Sequence, residues 1–387
     1  MAESPLHATV TAFYAYDIGF GVSLTRAELL LREQAAPGQN ISQPPAVRDN
    51  ILRERKGPRY FQYSPAPLQL TQSPGAGPAA PQSSCLLLEH NIIITLYDFG
   101  GVSIAYPYTF RGTPDELSLA AASLYDNISL LEDSRRRTQK ILAAAAPAVS
   151  KPIIEKSVED YVVVHLHAPQ TPGNAAEWVH LHRQLVARVL RAEPSPLCEQ
   201  EVTDATGLCL SYSPSDIAVV DWHGALLIGE DMEDAKAVLE FANIELLEMR
   251  LLDEKLDRSL EKAYLATSKP PRAFFRRDDQ LREIAGMQVD SSLLFESVNN
   301  TLKLVGDQYL ARLYHAAITR LHLPEWDASI IRKLSTLEGM YGKLNDERAN
   351  RRMEALEWII IGLIMFEIFA QFIWPLLVGL VESLRSS

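Results

Sequence analysis

Residues 97–104, Tyr97-Asp98-Phe99-Gly100-Gly101-Val102-Ser103-Ile104, set an acidic residue, an aromatic and two glycines between two apolar runs. Asp-aromatic-x-Gly reads as a turn, because glycine adopts at no steric cost the positive φ that a hairpin turn needs. An apolar run at 86–96 precedes the turn and another at 102–106 follows it, so the stretch reads as strand, turn, strand. Asp115 and Glu116 then supply the acidic start suited to a helix N-terminus, and helical character continues over 114–144. Strand pairs alternating with helices make this part of the chain a mixed α and β structure.

The same order returns further on. Val220-Asp221-Trp222-His223-Gly224-Ala225-Leu226-Leu227 leads into Glu233-Asp234 and a second long helix. The turn residues are Asp98 and Gly101 in the first copy, Asp221 and Gly224 in the second, and the echo predicts a duplicated α/β unit. Further strands are expected at 9–16, 161–166, 208–212 and 217–220, and helices at 24–33 and 175–191. Two tracts, about 35–58 and 64–84, are rich in Pro, Gln, Ser, Gly and Ala and read as loops inside an α/β head spanning 1–230.

From 231 to 353 the periodicity is helical. Leu246, Met249, Leu252, Leu256 and Leu260 recur at spacings of three and four, and Lys269-Pro270-Pro271 breaks the run. A second stripe carries Val298, Leu302, Val305, Tyr309, Leu313 and Ala316. A third carries Ile330, Leu334, Leu337, Tyr341 and Leu344. Three such stripes predict a long antiparallel helical bundle or coiled-coil stalk, packed within one chain or driving a homo-oligomer.

The final segment, 354–387, contains WIIIGLIMFEIFAQFIWPLLVGLV, residues 358–381. Its length suits a hydrocarbon core of roughly 30 Å at 1.5 Å per residue, so it reads as a transmembrane tail anchor contacting lipid. Trp358 and Trp374, about 24 Å apart on a helix, would mark the two interfaces, with Ile361 in the apolar stretch between them. Arg348, Arg351 and Arg352 before the span predict a single-pass protein with its N-terminal mass in the cytoplasm. Glu367 is the anomaly, because a carboxylate at mid-span costs roughly 3 kcal/mol or more. Gln371 lies one turn on, and the two form a polar stripe suited to self-association or to a partner helix.

A formal net charge of -12 argues against general or sequence-specific nucleic-acid binding. Three cysteines without C-x-x-C spacing support neither a disulfide framework nor a zinc knuckle. Met1-Ala2-Glu3-Ser4-Pro5 lacks the features of a secretory or transit signal. No phosphate-binding glycine loop, nucleophile elbow or kinase set accompanies Asp98-Phe99-Gly100. His165 and His167 alternate on a strand, share a face and form the weak candidate for a metal pair. The chain therefore reads as non-enzymatic and without a cofactor.

Two stretches carry a family resemblance. One is Asp221-Trp222-His223-Gly224 with the leucine-rich helix at 241–260. The other is Leu337-Glu338-Gly339-Met340-Tyr341-Gly342-Lys343-Leu344-Asn345-Asp346-Glu347-Arg348, running into Arg352-Met353-Glu354-Ala355-Leu356-Glu357-Trp358-Ile359-Ile360-Ile361. With the turn at 97–102, they resemble the "required for meiotic nuclear division" family, which includes the fungal Sad1-interacting factors and has a domain of unknown function. The resemblance spans about 85–370. It implies a membrane-anchored, non-enzymatic scaffold working near ribosomes. The expectation is an α+β head, a helical stalk and one C-terminal transmembrane helix, forming a scaffold or adapter that recruits a protein complex to the cytoplasmic membrane face. The alternative is a membrane-tethered, metal-dependent hydrolase or nuclease using His165 and His167.

Overall fold

The computed structural model describes residues 5–35, 51–52, 66–74, 85–88, 91–167, 174–268, 286, 289 and 308–385. Two bodies are distinguished: Met1–Glu254 with Ser292–Ile330, and Lys255–Ser291 with Ile331–Ser387.

The first body is built on a mixed sheet. Its strands begin with β1 (Leu6–Asp17), the two-residue β2 (Gly21–Val22) and β3 (Ile51–Leu52), then β4 (Leu68–Gln72), β5 (Leu86–Leu87), β6 (Ile92–Leu96) and β7 (Gly101–Gly112). After β8 (Val149–Ser150) come β9 (Glu159–Leu166), β10 (Cys209–Leu210), β11 (Ile217–Val220) and β12 (Gly224–Ile228). Strand order is β10-β11-β12-β9-β1-β7-β6-β4-β3, with β5 paired to β7, while β2 and β8 pair separately. β1 is antiparallel to β7 from Leu6↔Gly112 to Asp17↔Gly101, and β12 joins β9 in parallel.

β1 explains why the sheet is covered on both faces. Ala8, Val10, Ala12, Tyr14 and Tyr16 point into one core, while Thr11, Phe13 and Ala15 on the opposite face are buried too. A strand buried on both sides must be continuously apolar or small, as LHATVTAFYAYD nearly is. The first face is covered by α1 (Leu24–Ala35), α2 (Pro114–Leu124), α3 (Ile128–Ala145), α4 (Ala175–Leu181) and α5 (Arg183–Leu190). On the second face lies α7 (Glu233–Ser268), which follows the short α6 (Glu199–Ala205); Ile244 of α7 packs against Gly101. α8 (Gln308–Arg320) adds Tyr314, whose hydroxyl donates to Glu245 of α7.

Several expectations change here. Both hairpins form: Tyr97 N–H donates to Gly101 O, and Asp221 N–H to Gly224 O, each at 2.9 Å. Their following helices, α2 and α7, cover opposite faces of the sheet, so the echo is a repeat of turn chemistry rather than of a folded unit. The helix expected over 114–144 is two helices, because Asp126 takes φ 48° and Asn127 caps α3. The Pro-rich tract at 64–84 contains β4, whose Leu68 and Leu70 are buried.

The second body holds the C-terminal part of α7 and most of α9 (Leu323–Arg385), where Lys333 pairs with Asp257 at 2.6 Å. The predicted tail anchor is not supported. Among the described residues no helix is long and apolar enough to cross a membrane. The described apolar run Trp358–Phe369, with Glu367 inside it, spans about 18 Å of helix, against roughly 30 Å of hydrocarbon. The single-pass membrane placement and the cytoplasmic orientation inferred from that anchor are not supported either. α9 instead continues without a break from the stripe of Ile330 and Leu337 through this run.

Candidate functional site

Two regions hold the residues singled out by sequence, and a third comes only from the fold. On the helices, Leu246, Met249, Leu256, Ile330 and Leu337 are buried, and Leu260, Leu334 and Tyr341 are half-buried. These positions are packing residues of their own bodies. The side chains of Leu344, Arg348 and Arg351, like Val298, Leu302 and Val305, lie outside the described residues. Arg352, Ile361, Glu367 and Gln371 are exposed on α9, as are Trp358 (72%) and Trp374 (65%). Trp358, Ile361, Phe366 and Phe369 belong to one exposed apolar run of the kind that marks an interaction surface.

The histidine pair does come together, with rings 4.7 Å apart. His165 is buried, and its Nε2–H donates to the Gly229 carbonyl at 2.8 Å. His167 Nε2 bonds the Thr9 hydroxyl at 2.9 Å, and burial lowers the affinity of its ring for a proton, assisted by His165 and His7. Each ring thus uses one nitrogen to hold the sheet. No group of three or more His, Cys, Asp or Glu residues that could hold a metal exists among the described residues.

The region that sequence reasoning missed is one end of the sheet. There the β11–β12 turn, the start of β9, the end of β1, the α2–α3 turn and the last turns of α5 and α8 converge. Asp221 is fully buried at its centre. Its carboxylate meets Arg191 Nε at 2.6 Å and Arg320 Nη2 at 2.5 Å, and Tyr161 donates its hydroxyl to the Asp221 carbonyl at 3.0 Å. Arg320 and Arg191 also share Asp204, and the Arg320 hydrogen bond holds the Asp204 carboxyl below the usual carboxylate range. Paired buried charges of this kind fix geometry, and their signal in sequence was only the Asp221 already assigned to the turn.

Next to that network His223 lies against Tyr125, rings 4.5 Å apart, and burial lowers its proton affinity. Asp160, at the start of β9, is raised by burial and accepts the Asp126 N–H at 2.8 Å. Burial likewise raises Glu159 to about 7 despite its pairing with Arg250. Perturbed groups gathered in one place mark a candidate site. On the far side, a groove of about 840 Å³ runs between α6 and the end of α8, lined by Glu199, Glu201, Asp204, Arg320 and His322. Trp222, 39% exposed, leans on His322 with ring centroids 5.6 Å apart.

A family model described as "Uncharacterized protein MJ0711, N-terminal domain" matches residues 7–235, which takes in nearly all of the sheet and the Asp160, Arg191, Asp204 and Asp221 part of this sheet end. Uncharacterized protein MJ0711 of Methanocaldococcus jannaschii is 20% identical over 216 residues, covering 55% of this chain. The alignment covers 66% of that protein, just under two thirds of its length. No solved structure matches. Nothing in these comparisons points to the meiotic and Sad1-interacting family, so that resemblance is withdrawn, and with it the expectation of a ribosomal neighbourhood. The motifs behind it were a tight turn and leucine-rich helices, which recur wherever such elements pack.

Proposed function

The chain belongs to the family of the N-terminal domain of uncharacterized protein MJ0711, and we propose that it works as a non-enzymatic adapter whose α9 holds a protein partner. The observation that carries this reading is the exposed apolar run on α9, from Trp358 at 72% to Phe369 at 46% exposed, beyond the segment that the family model matches. Large side chains left in water forgo roughly 1.5–3 kcal/mol each on burial, which a docking helix would recover.

The charge pattern favours a different protein over a second copy. Glu367 sits within the run, and no Lys, Arg or His occurs between Arg352 and Arg385. A second copy aligned on the same stretch would bring no cation to that carboxylate, and an unpaired carboxylate buried in a helix interface is strongly unfavourable. The fitting occupant is an amphipathic helix with an apolar face and one basic residue opposite Glu367.

Crosslinking mass spectrometry on the full-length protein in native extract tests this, starting from the exposed Lys343. Crosslinks should converge on one helical segment of one partner. Glu367→Lys should abolish the complex, and reversing the partner's basic residue to Glu should restore it. Self-crosslinks alone, or a complex indifferent to Glu367→Lys, would remove the adapter reading.

A further inference from the structure

A small pocket opens at the sheet end between β1, the α2–α3 turn, α3 and the segment leading into β9, with a volume of about 260 Å³. Its floor is Tyr14, its apolar walls are Leu131 and Val158, and four charged residues complete it: Arg135, Lys156, Asp126 and Asp160. Two cations and two carboxylates in so small a space would ordinarily pair. Here none of the ion pairs joins any two of them, and each backbone bond nearby holds a side chain in place instead. Arg135 Nη2 donates to the Lys156 carbonyl at 2.9 Å, and Asp160 Oδ2 accepts the Asp126 N–H at 2.8 Å. The Tyr14 hydroxyl donates to the Leu124 carbonyl at 3.3 Å, so the floor is fixed as well.

A site lined by both signs of charge that do not pair with each other, together with apolar side chains, is complementary to a ligand that carries both signs itself. We propose that this pocket binds a small zwitterion of the amino-acid type, its ammonium group held by Asp160 and Asp126 and its carboxylate by Arg135 and Lys156. The volume lies just under the roughly 300–1,000 Å³ of sites for drug-sized ligands, which restricts the occupant to a compact molecule. Charge-assisted hydrogen bonds at each end supply the affinity, and a short aliphatic part rests on Leu131 and Val158. Burial disfavours the ionised form of Asp160, and a cationic group beside it would offset that cost. The site lies wholly within the family-matched segment and is independent of the partner surface on α9.

Calorimetric titration of the full-length protein tests the proposal with glycine, β-alanine and L-valine. Isovalerate and isobutylamine, which are valine without its amine and without its carboxylate, are the controls. At least one zwitterion should bind saturably, and each control should bind at least about tenfold more weakly than valine when valine is the ligand. Asp160→Asn and Arg135→Gln should each weaken that zwitterion about tenfold or more. Lys156→Gln alters an exposed side chain and supplies the same test if either of the others fails to fold. No saturable binding by any of the three zwitterions overturns the proposal. So does isovalerate binding as tightly as valine, which would define a plain anion site, or isobutylamine doing so, which would define a plain cation site.

Discussion

Asp221 shows how much one residue can carry beyond its apparent local role. As a turn residue it donates its N–H to Gly224 O, and as a buried carboxylate it neutralises Arg191 and Arg320. Removing one partner of a buried ion network leaves the others desolvated and unpaired, so Asp221→Ala should destabilise the protein by about 3–5 kcal/mol in urea titrations. A loss below about 1 kcal/mol would mean that the arginines reach solvent on their own. The glycine beside it has a different reason from the one its turn suggested. Gly224 is not among the residues with positive φ; a Cβ there would sit 2.4 Å from the Val162 carbonyl oxygen, so close approach to β9 demands it. In the first turn the positive φ belongs to Gly100, at 111°, and not to Gly101.

Buried acids, Glu240 and Asp160 as well as Glu245 and Glu159, set a pH dependence whose sign can be worked out. Burial lifts Glu245 from 4.5 to about 8, against the hydrogen bond from Tyr314, and Glu159 to about 7. Between the unfolded and folded values the native state holds protons that the unfolded chain has released. Stability then falls as pH rises, and the loss is complete above the folded values. His167 and His223, both lowered by burial, act oppositely, but only below their ordinary value of 6.5. From about pH 6.5 to 8 the carboxylates act alone, so the urea midpoint should drop across that window and Glu245→Gln should flatten the drop. A midpoint that rises there would contradict a neutral, buried Glu245.

At the scale of elements, the strands were the most legible feature and the helix ends the least. β1 and β9 could be read because β-branched and aromatic residues dominate them, while β4 was masked by the composition around its Leu68-Gln69-Leu70 alternation. The helix expected at 175–191 breaks at His182 without any glycine or proline. The His182 ring stacks on Trp178 at 4.3 Å and its Nδ1–H donates to the Trp178 carbonyl, which also accepts the His182 backbone N–H at 3.0 Å, a side-chain bond at the helix end that periodicity alone cannot reveal. The break between α2 and α3 was legible in principle, since Asp126-Asn127 is a capping pair. Asn127 Oδ1 accepts the Leu130 N–H at 3.0 Å while its Nδ2 donates to Ser123 O at 2.7 Å, tying the two helices together. Asn127→Ala should therefore cost about 1 kcal/mol, and Asn127→Asp, which keeps the acceptor, clearly less. Equal losses in the two variants would assign the effect to the Ser123 bond instead of the cap. The sheet-end site was illegible for a related reason: Tyr14, Arg135, Asp160, Arg191 and Arg320 are distant in sequence, and only the strand order brings their elements to one end of the sheet.

For the molecule as a whole, the two bodies differ in what holds them. β1 and β7 are hydrogen-bonded on both sides and buried on both faces, so their amides should open only with global unfolding. Residues 352–369 of α9 are exposed around the helix, and Ile359, Ile360, Ile361, Ile364 and Ile368 are β-branched, with less intrinsic helix preference than Leu or Ala. A helix without a packed face depends on propensity alone and is marginal in water. No described helix is long and apolar enough to cross a membrane, so under the proposed adapter reading the apolar pattern that suggested a span is a docking surface. Hydrogen exchange on the purified full-length protein separates the possibilities. Amides at 352–369 should exchange far faster than those of β1 and β7, and should become protected when the partner helix is added. Slow exchange there in the purified protein would show that the chain already covers its own helix, and a concentration-dependent protection would transfer the surface from a partner to a second copy.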